Sequence, residues 1–313
     1  MNLRGLADAC ARHPGLLAKR DLAPVAELIG GDGDDAAILS PPGGAQAVAA
    51  AEAVAPALVR GAPEVAGIAG VVAALNDVAA SGARPNAILD TVVAPDRETL
   101  AAILRGVARA AGLSGVPVVG GHVTVAPNTD PALSTTAMGW ADTPLRAASA
   151  RAGDPLSLAV CLEGEASSAG GVAFFSHLRG PRRDALGRDL ALLADAAEAG
   201  EAWAARDVSM PGIVGSLVQM ADAVAGLGAE LDLDRMPVPA GVPMGEWLTL
   251  FPSYAFLLVG EPEPLEARFA AAGLTCTQVG HLDDSGAIRL AASGETASVW
   301  DLSRDPLTGF TGR

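Results

Sequence analysis

The chain has 313 residues, half of them hydrophobic, with a formal net charge of -15 and an isoelectric point near 4.6. This length allows two ordinary domains with a sizeable core. The negative charge and the lack of a basic stripe exclude a groove that neutralises nucleic-acid phosphates. The only lysine is Lys19, which excludes a phosphate-binding loop of the G-x-x-x-x-G-K-[ST] kind.

The first half of the chain alternates helical and strand patterns. Residues 3–19 predict one or two short helices, and AQAVAAAEAVAP predicts a buried strand. Apolar residues from Val65 to Ala79 recur at helical spacing, and Gly82 is typical of a helix end. A β-rich run, NAILDTVVAP, precedes a helix that Asp96 could cap. VPVVGGHVTVAP and ALSTTAMGWAD then predict two strands.

A polar stretch of small residues from Asp142 to Gly153 predicts a domain boundary, giving domains 1–150 and 151–313. A strand follows in RAGDPLSLAVCLEGEA. Further predicted elements are helices over 185–199, 213–224 and 262–274 and strands over 253–260, 274–280 and 286–291. Both halves therefore predict an α+β fold.

Three features bear on location and packing. Cys10, Cys161 and Cys276 lie far apart in apolar surroundings, which favours buried, reduced thiols over disulfides. The N-terminal residues lack the apolar segment of a secretory signal, and we find no stretch of about 18 apolar residues free of charges and helix breakers. We therefore expect a cytoplasmic protein without a membrane span.

The segment GGDGDDAAIL carries Asp32, Asp34 and Asp35 together. Two carboxylates about 4 Å apart repel by roughly 4 kcal/mol at an effective dielectric near 20, so such a cluster is solvated, protonated or bridged by a cation. The residues alone leave these choices open, and a solvent-facing turn of glycine and aspartate is the simplest alternative. The segment lacks the residue order of an EF-hand.

Two more aspartates stand out. Asp77, in LNDVAASG, falls on a helix of small apolar residues, where an unpaired carboxylate is costly; bonding to a backbone group or helix end is the alternative. Asp207, in RDVSMPG, precedes a predicted helix. Taken alone it is an N-cap, a role that Ser209 could also fill.

Two glycines, Gly120 and Gly121, interrupt a β-run immediately before His122. This pattern indicates a bulge, or backbone that passes close to a ligand. A histidine at such a position is more often packed and hydrogen-bonded than a ligand-binding residue.

The order of these motifs resembles the superfamily of aminoimidazole ribonucleotide synthetase, thiamine-monophosphate kinase, selenophosphate synthetase and the hydrogenase-maturation dehydratase. The motifs are GDDAAIL, LNDVAASGARP, VPVVGGHVT, GDPLSLA and DVSMPGIVGSL, and they span residues 28 to 260. The resemblance implies that domain 1–150 binds ATP and magnesium and pairs in a homodimer through a β-barrel. Domain 151–313 would be an α/β layer that completes the cleft.

The resemblance also implies site residues. The catalytic residues would be Asp34, Asp77 and Asp207. The magnesium ligands would be Asp34, Asp35, Asp77 and Asp207, and further cofactor-binding residues would be Asp35, Asn76, Gly120, Gly121, His122 and Thr124. Magnesium prefers such oxygen ligands. Because successive side chains of a strand point to opposite faces, only one of Asp34 and Asp35 should reach the main metal site.

The chain also departs from the family patterns. Glu52 stands where thiamine-monophosphate kinases have an aspartate, and Met210 and Pro211 replace the acid and the glycine of D-x-S-D-G-L. The cysteine-bearing glycine-rich loop of selenophosphate synthetase is missing, since Cys10 lies in DACARHP. By elimination, the chain resembles the branch known only as aminoimidazole-ribonucleotide-synthetase-related.

We therefore expect an ATP- and magnesium-dependent enzyme that phosphorylates a small metabolite, or activates it by phosphorylation, with thiamine-monophosphate kinase as the nearest named activity. One alternative is an ATP-dependent ring-closing ligase, and another is a nucleotide-binding partner without catalysis. We expect no nucleic-acid or membrane partner. The aromatic residues Trp247, Phe251, Tyr254 and Phe256 predict core or interface packing, with substrate stacking as the alternative.

Overall fold

A computed structural model describes residues 2–29, 33–40 and 44–310. Contacts between Cα atoms group the chain into two compact units. The seven-stranded unit comprises Met1–Asp35, Leu145–Leu162 and Ala196–Arg313, and the five-stranded unit comprises Ala36–Pro144 and Glu163–Asp195. These bounds differ from a simple division at residue 150, which stays a prediction.

The described residues form helices and strands in close alternation. The helices are α1 (Leu3–Ala11), α2 (Pro14–Leu17), α3 (Ala23–Leu28), α4 (Pro56–Gly61), α5 (Pro63–Ala80), α6 (Arg97–Ser114), α7 (Leu186–Glu198), α8 (Gly212–Asp222), α9 (Met244–Trp247) and α10 (Pro262–Ala271). The strands are β1 (Ala37–Leu39), β2 (Gln46–Ala53), β3 (Arg84–Ala94), β4 (Val118–Val125), β5 (Ala132–Ala141), β6 (Pro155–Val160), β7 (Glu165–Ala169), β8 (Val172–Ser176), β9 (Ala202–Asp207), β10 (Gly228–Asp232), β11 (Phe251–Pro252), β12 (Ala255–Gly260), β13 (Thr275–Asp283), β14 (Ala287–Ala292) and β15 (Glu295–Asp301). The predicted α+β class is confirmed.

The five-stranded unit is built on a sheet of order β1-β2-β5-β3-β4. All neighbouring strands are antiparallel except β3 and β4, which are parallel and are joined through α6. Helix α5 packs on one face of this sheet, where the Thr135 hydroxyl donates to the Gly70 carbonyl at 2.7 Å. Strand β4 is one of the two edge strands, and all eight of its residues are exposed. It is therefore the most open element of this sheet.

Helix α5 is buried on nearly every side, with thirteen buried residues including Asn76 and Asp77. Helices that are apolar all round belong in a protein core or in a membrane. Among the described residues it is the one helix long and apolar enough to cross a membrane, with mean hydropathy 1.3, and 67% of it is buried within the protein. Core helices of soluble proteins pass the same test.

The seven-stranded unit is a mixed sheet of order β15-β14-β10-β13-β6-β12-β9. Its pairs are antiparallel except β10 with β14, which are parallel. Helix α1 packs against β14 and β15, α10 packs against β6 and β13, and α8 packs beside β9, β10 and β12. Strand β9 lies at one edge of the sheet and ends at Asp207. One of the predicted site residues thus stands at the end of an edge strand.

The aromatic residues of the predicted cluster lie mostly in the core of this unit. Trp247, Tyr254 and Phe256 are at most 1% exposed, and Phe251 is partly exposed. The rings of Tyr254 and Phe256 meet edge to face at 5.0 Å, and the Trp247 indole donates to the Pro237 carbonyl at 2.9 Å. The three buried rings therefore pack in the core, as predicted. The three cysteines are also buried and form no disulfide, as predicted.

Candidate functional site

The acidic segment of the seven-stranded unit contacts the end of strand β9. The Arg206 guanidinium lies 2.7 Å from the Asp35 carboxylate, and the two side chains are 7% and 5% exposed. The backbone amide of Asp207 donates to the other Asp35 oxygen at 3.2 Å. Although 172 residues separate Asp35 from Asp207, carboxylate oxygens of the two lie within 4.8 Å of each other. Two of the predicted metal ligands thus share one corner of this unit.

Asp34 lies beside them but points elsewhere. One of its oxygens accepts the Asp35 amide at 3.0 Å, and the other accepts the Ala147 amide at 3.1 Å. Burial, followed by the charge of Asp35, raises the pKa of Asp34 from 3.8 to about 6, against the opposing influence of Arg206. Asp34 and Asp35 diverge as expected, but they lie in a bend before β1 rather than within a strand. Asp32 lies outside the described residues.

The alternative reading of Asp207 as a helix N-cap is wrong. Asp207 is the last residue of β9, and α8 begins only at Gly212, after Pro211, without a side-chain cap. Ser209 is held instead through its backbone amide, which donates to the Ser216 hydroxyl at 3.2 Å. The Asp207 side chain, only 2% exposed, therefore belongs to a buried strand end and not to a helix terminus.

Asp77 and Asn76 lie in the five-stranded unit, near the end of α5. They are 7% and 0% exposed, so both polar side chains sit in a helix whose neighbouring residues are small and apolar. Helix α5 ends as predicted, with Gly82 at φ 72° after the terminal residue Ser81. Burying these groups is costly unless they are partnered.

The glycine pair of the predicted nucleotide site lies within strand β4 and not in a turn. Its pairing with β3 shifts register between Val118 and Gly120, so the expected bulge is present. Gly121 lies opposite Asp90, and a Cβ atom on Gly121 would stand 2.2 Å from Asp90 Oδ1. The group that comes close to the β4 backbone at Gly121 is therefore Asp90 of the neighbouring strand.

His122 and Thr124 belong to the opposite face of the same sheet. They are two residues apart on β4, opposite Thr91 and Val93, and the Thr124 hydroxyl lies 3.4 Å from His122 Nε2. Both are exposed, so His122 is not a packed core histidine. Gly120 is on this face as well, since side chains alternate along a strand.

Three polar residues on neighbouring strands of this sheet are register partners, which the sequence alone did not indicate. Thr135 is the register partner of both Glu52 on β2 and Asp90 on β3, and Asp90 is in turn the partner of Gly121. Asp90 is 8% exposed, and burial raises its pKa. The row of these residues faces α5, because Thr135 bonds Gly70 there. Glu52, which replaces a family aspartate, therefore lies on the helix-covered face.

Sequence reasoning missed Arg206 and Asp90. Arg206 is adjacent to Asp207 in the chain, but its partner Asp35 is far away, so no local pattern indicated the pair. Asp90 lies two residues from both Ile88 and Val92, on the same buried face of β3, which was a usable signal of an inward-facing carboxylate.

The chemistry of the corner suits a divalent cation. Asp34, Asp35 and Asp207 contribute three negative charges when ionised, and Arg206 contributes one positive charge, so the group carries a formal charge of -2. Burial, and then the neighbouring charge of Asp35, raises the pKa of Asp34. Carboxylate oxygens are the ligands that magnesium prefers. The donor set and the net charge therefore both fit one divalent cation.

Two family matches cover most of the chain. Residues 33–141 match "AIR synthase related protein, N-terminal domain", and residues 171–293 match the corresponding C-terminal domain. The uncharacterised protein sll0787 of Synechocystis sp. is 32% identical over 283 residues, which cover 90% of this chain and 87% of that protein. The chain belongs to the AIR synthase related family. The family predicted from the order of the motifs is confirmed.

Solved structures share the fold of this AIR synthase related chain. PurL of T. maritima, complexed with AMPPCP, matches 99% of this chain and 52% of its own chain, with a TM-score of 0.75 and 18% identity. AaThiL, complexed with AMPPCP and TMP, matches 87% of this chain and 91% of its own, with a TM-score of 0.64 and 16% identity. The chain spans about half the length of that PurL structure and 33% of the curated PurL relative from Synechococcus sp..

Proposed function

We propose that this protein is an ATP- and magnesium-dependent enzyme that transfers phosphate to a small metabolite or activates it by phosphorylation. The observation that carries the proposal is the buried meeting of Asp35 and Asp207, two carboxylates from distant segments held within 4.8 Å. Family relatives complexed with ATP, ADP and AMPPCP support ATP as the nucleotide. Because Lys19 is the only lysine, an acidic, metal-based phosphate site also fits the composition.

We propose Asp35 and Asp207 as magnesium ligands, with Asp34 beside them, and we propose the same role for Asp77 from the order of the motifs alone. A bound divalent cation would neutralise charge on the transferring phosphoryl group. Arg206 holds the Asp35 carboxylate in one orientation through its 2.7 Å contact. The Ala147 amide fixes the direction of Asp34. These residues position and neutralise, since phosphoryl transfer requires little covalent chemistry from the protein.

For the nucleotide we propose contacts from Asn76 and from the β4 residues Gly120, Gly121, His122 and Thr124. The support is their order in the sequence and the exposure of β4, whose glycines leave backbone groups open to a ligand. His122 and Thr124 share one face and can act together on one group of the ligand. Exposure of an entire edge strand is unusual without a partner or ligand.

Thiamine monophosphate is the acceptor to test first, because AaThiL, complexed with AMPPCP and TMP, shares the fold. Purified protein with magnesium, ATP and thiamine monophosphate is expected to form thiamine diphosphate, measured by chromatography. The Asp207→Asn variant is the matched control and should form none. If the wild-type protein binds ATP but yields no diphosphate, thiamine monophosphate is not its substrate.

A second candidate reaction is the phosphorylation of an amide oxygen, followed by its displacement by nitrogen to give an amidine or a closed ring. PurL relatives favour this reaction. One of them is 29% identical over 257 residues and is named phosphoribosylformylglycinamidine synthase, a name that describes the formation of an amidine. Phosphate release with a panel of amide-bearing metabolites tests this reaction. Release that requires both an amide and an amine would select it over the kinase reaction.

We also propose a homodimer formed through the outward face of the five-stranded sheet. Trp140 and Met138 of β5 are 49% and 38% exposed and stand opposite Ala47 and Ala49 of β2, so this face is apolar and open. Such a face, beside an exposed edge strand, favours pairing with a second copy.

Trp140→Ser combined with Met138→Ser is expected to convert the dimer to a monomer, because it removes two large exposed apolar groups of this face. Light scattering after size exclusion measures the mass. Leu28→Ser, at a residue 80% exposed in the other unit, is the control and should leave the mass unchanged. An unchanged mass in the double variant would contradict the proposed surface.

A further inference from the structure

The last described residues of the chain are tied to the C-terminal end of α8. Asp222, the final residue of α8, is 2% exposed and accepts the backbone amides of Leu307 and Thr308 at 3.0 and 2.9 Å. The Thr308 hydroxyl also donates to this carboxylate. Hydrogen bonds to a buried charged acceptor are among the stronger ones in proteins. The segment Leu307–Phe310 therefore has a fixed path.

That path brings Phe310 against the acidic segment. A Cβ atom on Gly33 would lie 2.8 Å from Phe310 Cβ and 2.9 Å from its Cγ, so the ring fills the space beside Gly33. Gly33 also has φ +70°, a conformation that side chains disfavour. Both facts make glycine necessary there, directly before Asp34 and Asp35.

A second set of contacts holds the residues that come just before this segment. Arg20 forms an ion pair with Asp305 and lies 5.1 Å over the ring of Trp300. The Trp300 indole donates to the Asp305 carbonyl at 2.7 Å. The chain between Trp300 and Phe310 is thus held at both ends, first by the N-terminal region and then by α8.

We infer that Phe310, held in place by Asp222, is a positioning residue for the divalent-cation site proposed at Asp35 and Asp207. The inference rests on the proposed function for the identity of the ligand. Phe310 limits the movement of Gly33, and through it the direction in which the next two carboxylates point. Asp222 ends α8, and Asp207 ends β9, the strand that comes before α8 in the chain.

The test uses the full chain with Phe310→Ala, Phe310→Leu and, as a control, Arg304→Ala, whose side chain is 85% exposed in the same segment. Hydrogen exchange of the 33–39 peptide is measured without metal, and Mn²⁺ binding is measured by calorimetry. Phe310→Ala is expected to exchange at least about ten times faster in that peptide and to bind Mn²⁺ about ten times more weakly. Phe310→Leu and Arg304→Ala should resemble the wild type.

Unchanged exchange in Phe310→Ala would overturn the inference, even if the variant is less stable overall. Should Phe310→Ala fail to fold, Asp222→Asn is used instead. Asp222 does not belong to the 33–39 peptide, and its replacement should still speed hydrogen exchange in that peptide. If the wild-type protein binds no Mn²⁺ while the exchange result holds, the metal assignment fails and the positioning role stands. If Mn²⁺ binds equally to wild type and Phe310→Ala, the positioning role fails and the metal assignment stands.

Discussion

Asp35→Asn is expected to lower the free energy of unfolding by about 3 kcal/mol and to abolish ATP turnover. The Asp35 carboxylate is 5% exposed and is 2.7 Å from Arg206, which is itself 7% exposed. Removing one partner of a buried ion pair leaves the other charge buried, which costs about 3–5 kcal/mol. Urea denaturation measures the stability, and phosphate release with an accepted substrate measures the turnover.

Asp130→Asn is the control for this change. The Asp130 side chain is 80% exposed and lies 3.4 Å from Arg60, so the pair is screened by solvent. Exposed pairs contribute at most about 1 kcal/mol, and Asp130 is not part of the proposed site. We expect its stability and turnover to match the wild type. Similar losses in both variants would mean that the Asp35 effect does not come from burial.

The double variant Asp35→Asn, Arg206→Met separates stability from function. Methionine replaces the buried charge with an apolar side chain of similar length, so part of the lost stability should return. Turnover should not return, because the proposed metal ligand is still missing. Recovery of both would contradict the role of Asp35 as a ligand and leave only its structural role.

The long helices and the hydrophobic strands were predictable because their signals are local. Asp96 caps α6 as expected, accepting the Thr99 amide at 2.7 Å, and Gly115 ends the same helix in a left-handed conformation. The predicted strand over 253–260 is β12, buried throughout its length. A cap, a periodic apolar stripe and a terminal glycine are all readable within one stretch of sequence.

Strands with weak local signals were missed. Residues Glu165–Ala169 and Val172–Ser176 form a hairpin, but the first of these strands consists of small and polar residues with no buried position. Strand β9 was also missed, because AWAARD is short and carries two charges at its buried end. These charges are tolerated there because Arg206 meets Asp35, a contact that only the folded chain reveals.

The candidate site shows the same division between local and long-range information. The order of the motifs along the chain is enough to select Asp34, Asp35 and Asp207 as candidates. The separate directions of Asp34 and Asp35, and the ion pair with Arg206, depend on contacts across more than a hundred residues. Such contacts leave no periodic trace in one sequence.

Gly121→Ala is expected to lower the free energy of unfolding by about 2 kcal/mol, whereas Gly120→Ala should change it little. On Gly121 a Cβ atom would lie 2.2 Å from Asp90 Oδ1 and 2.4 Å from the Asp90 carbonyl oxygen, so backbone as well as side chain must move. On Gly120 the nearest atom, Leu89 Cδ2, is 3.9 Å away. Thermal or urea unfolding of the two variants gives a direct comparison.

Gly120 and Gly121 are well matched for this comparison. Both are exposed residues of the same edge strand, and both gain one methyl group. A general effect of alanine on β4 would act on both variants, so a difference between them isolates the approach of Asp90. Asp90→Ala in the Gly121→Ala background removes the Oδ1 contact but keeps the carbonyl contact, and should recover part of the loss. Equal stabilities of the two single variants would mean that β4 moves away from β3 at little cost, and that Asp90 does not require a glycine beside it.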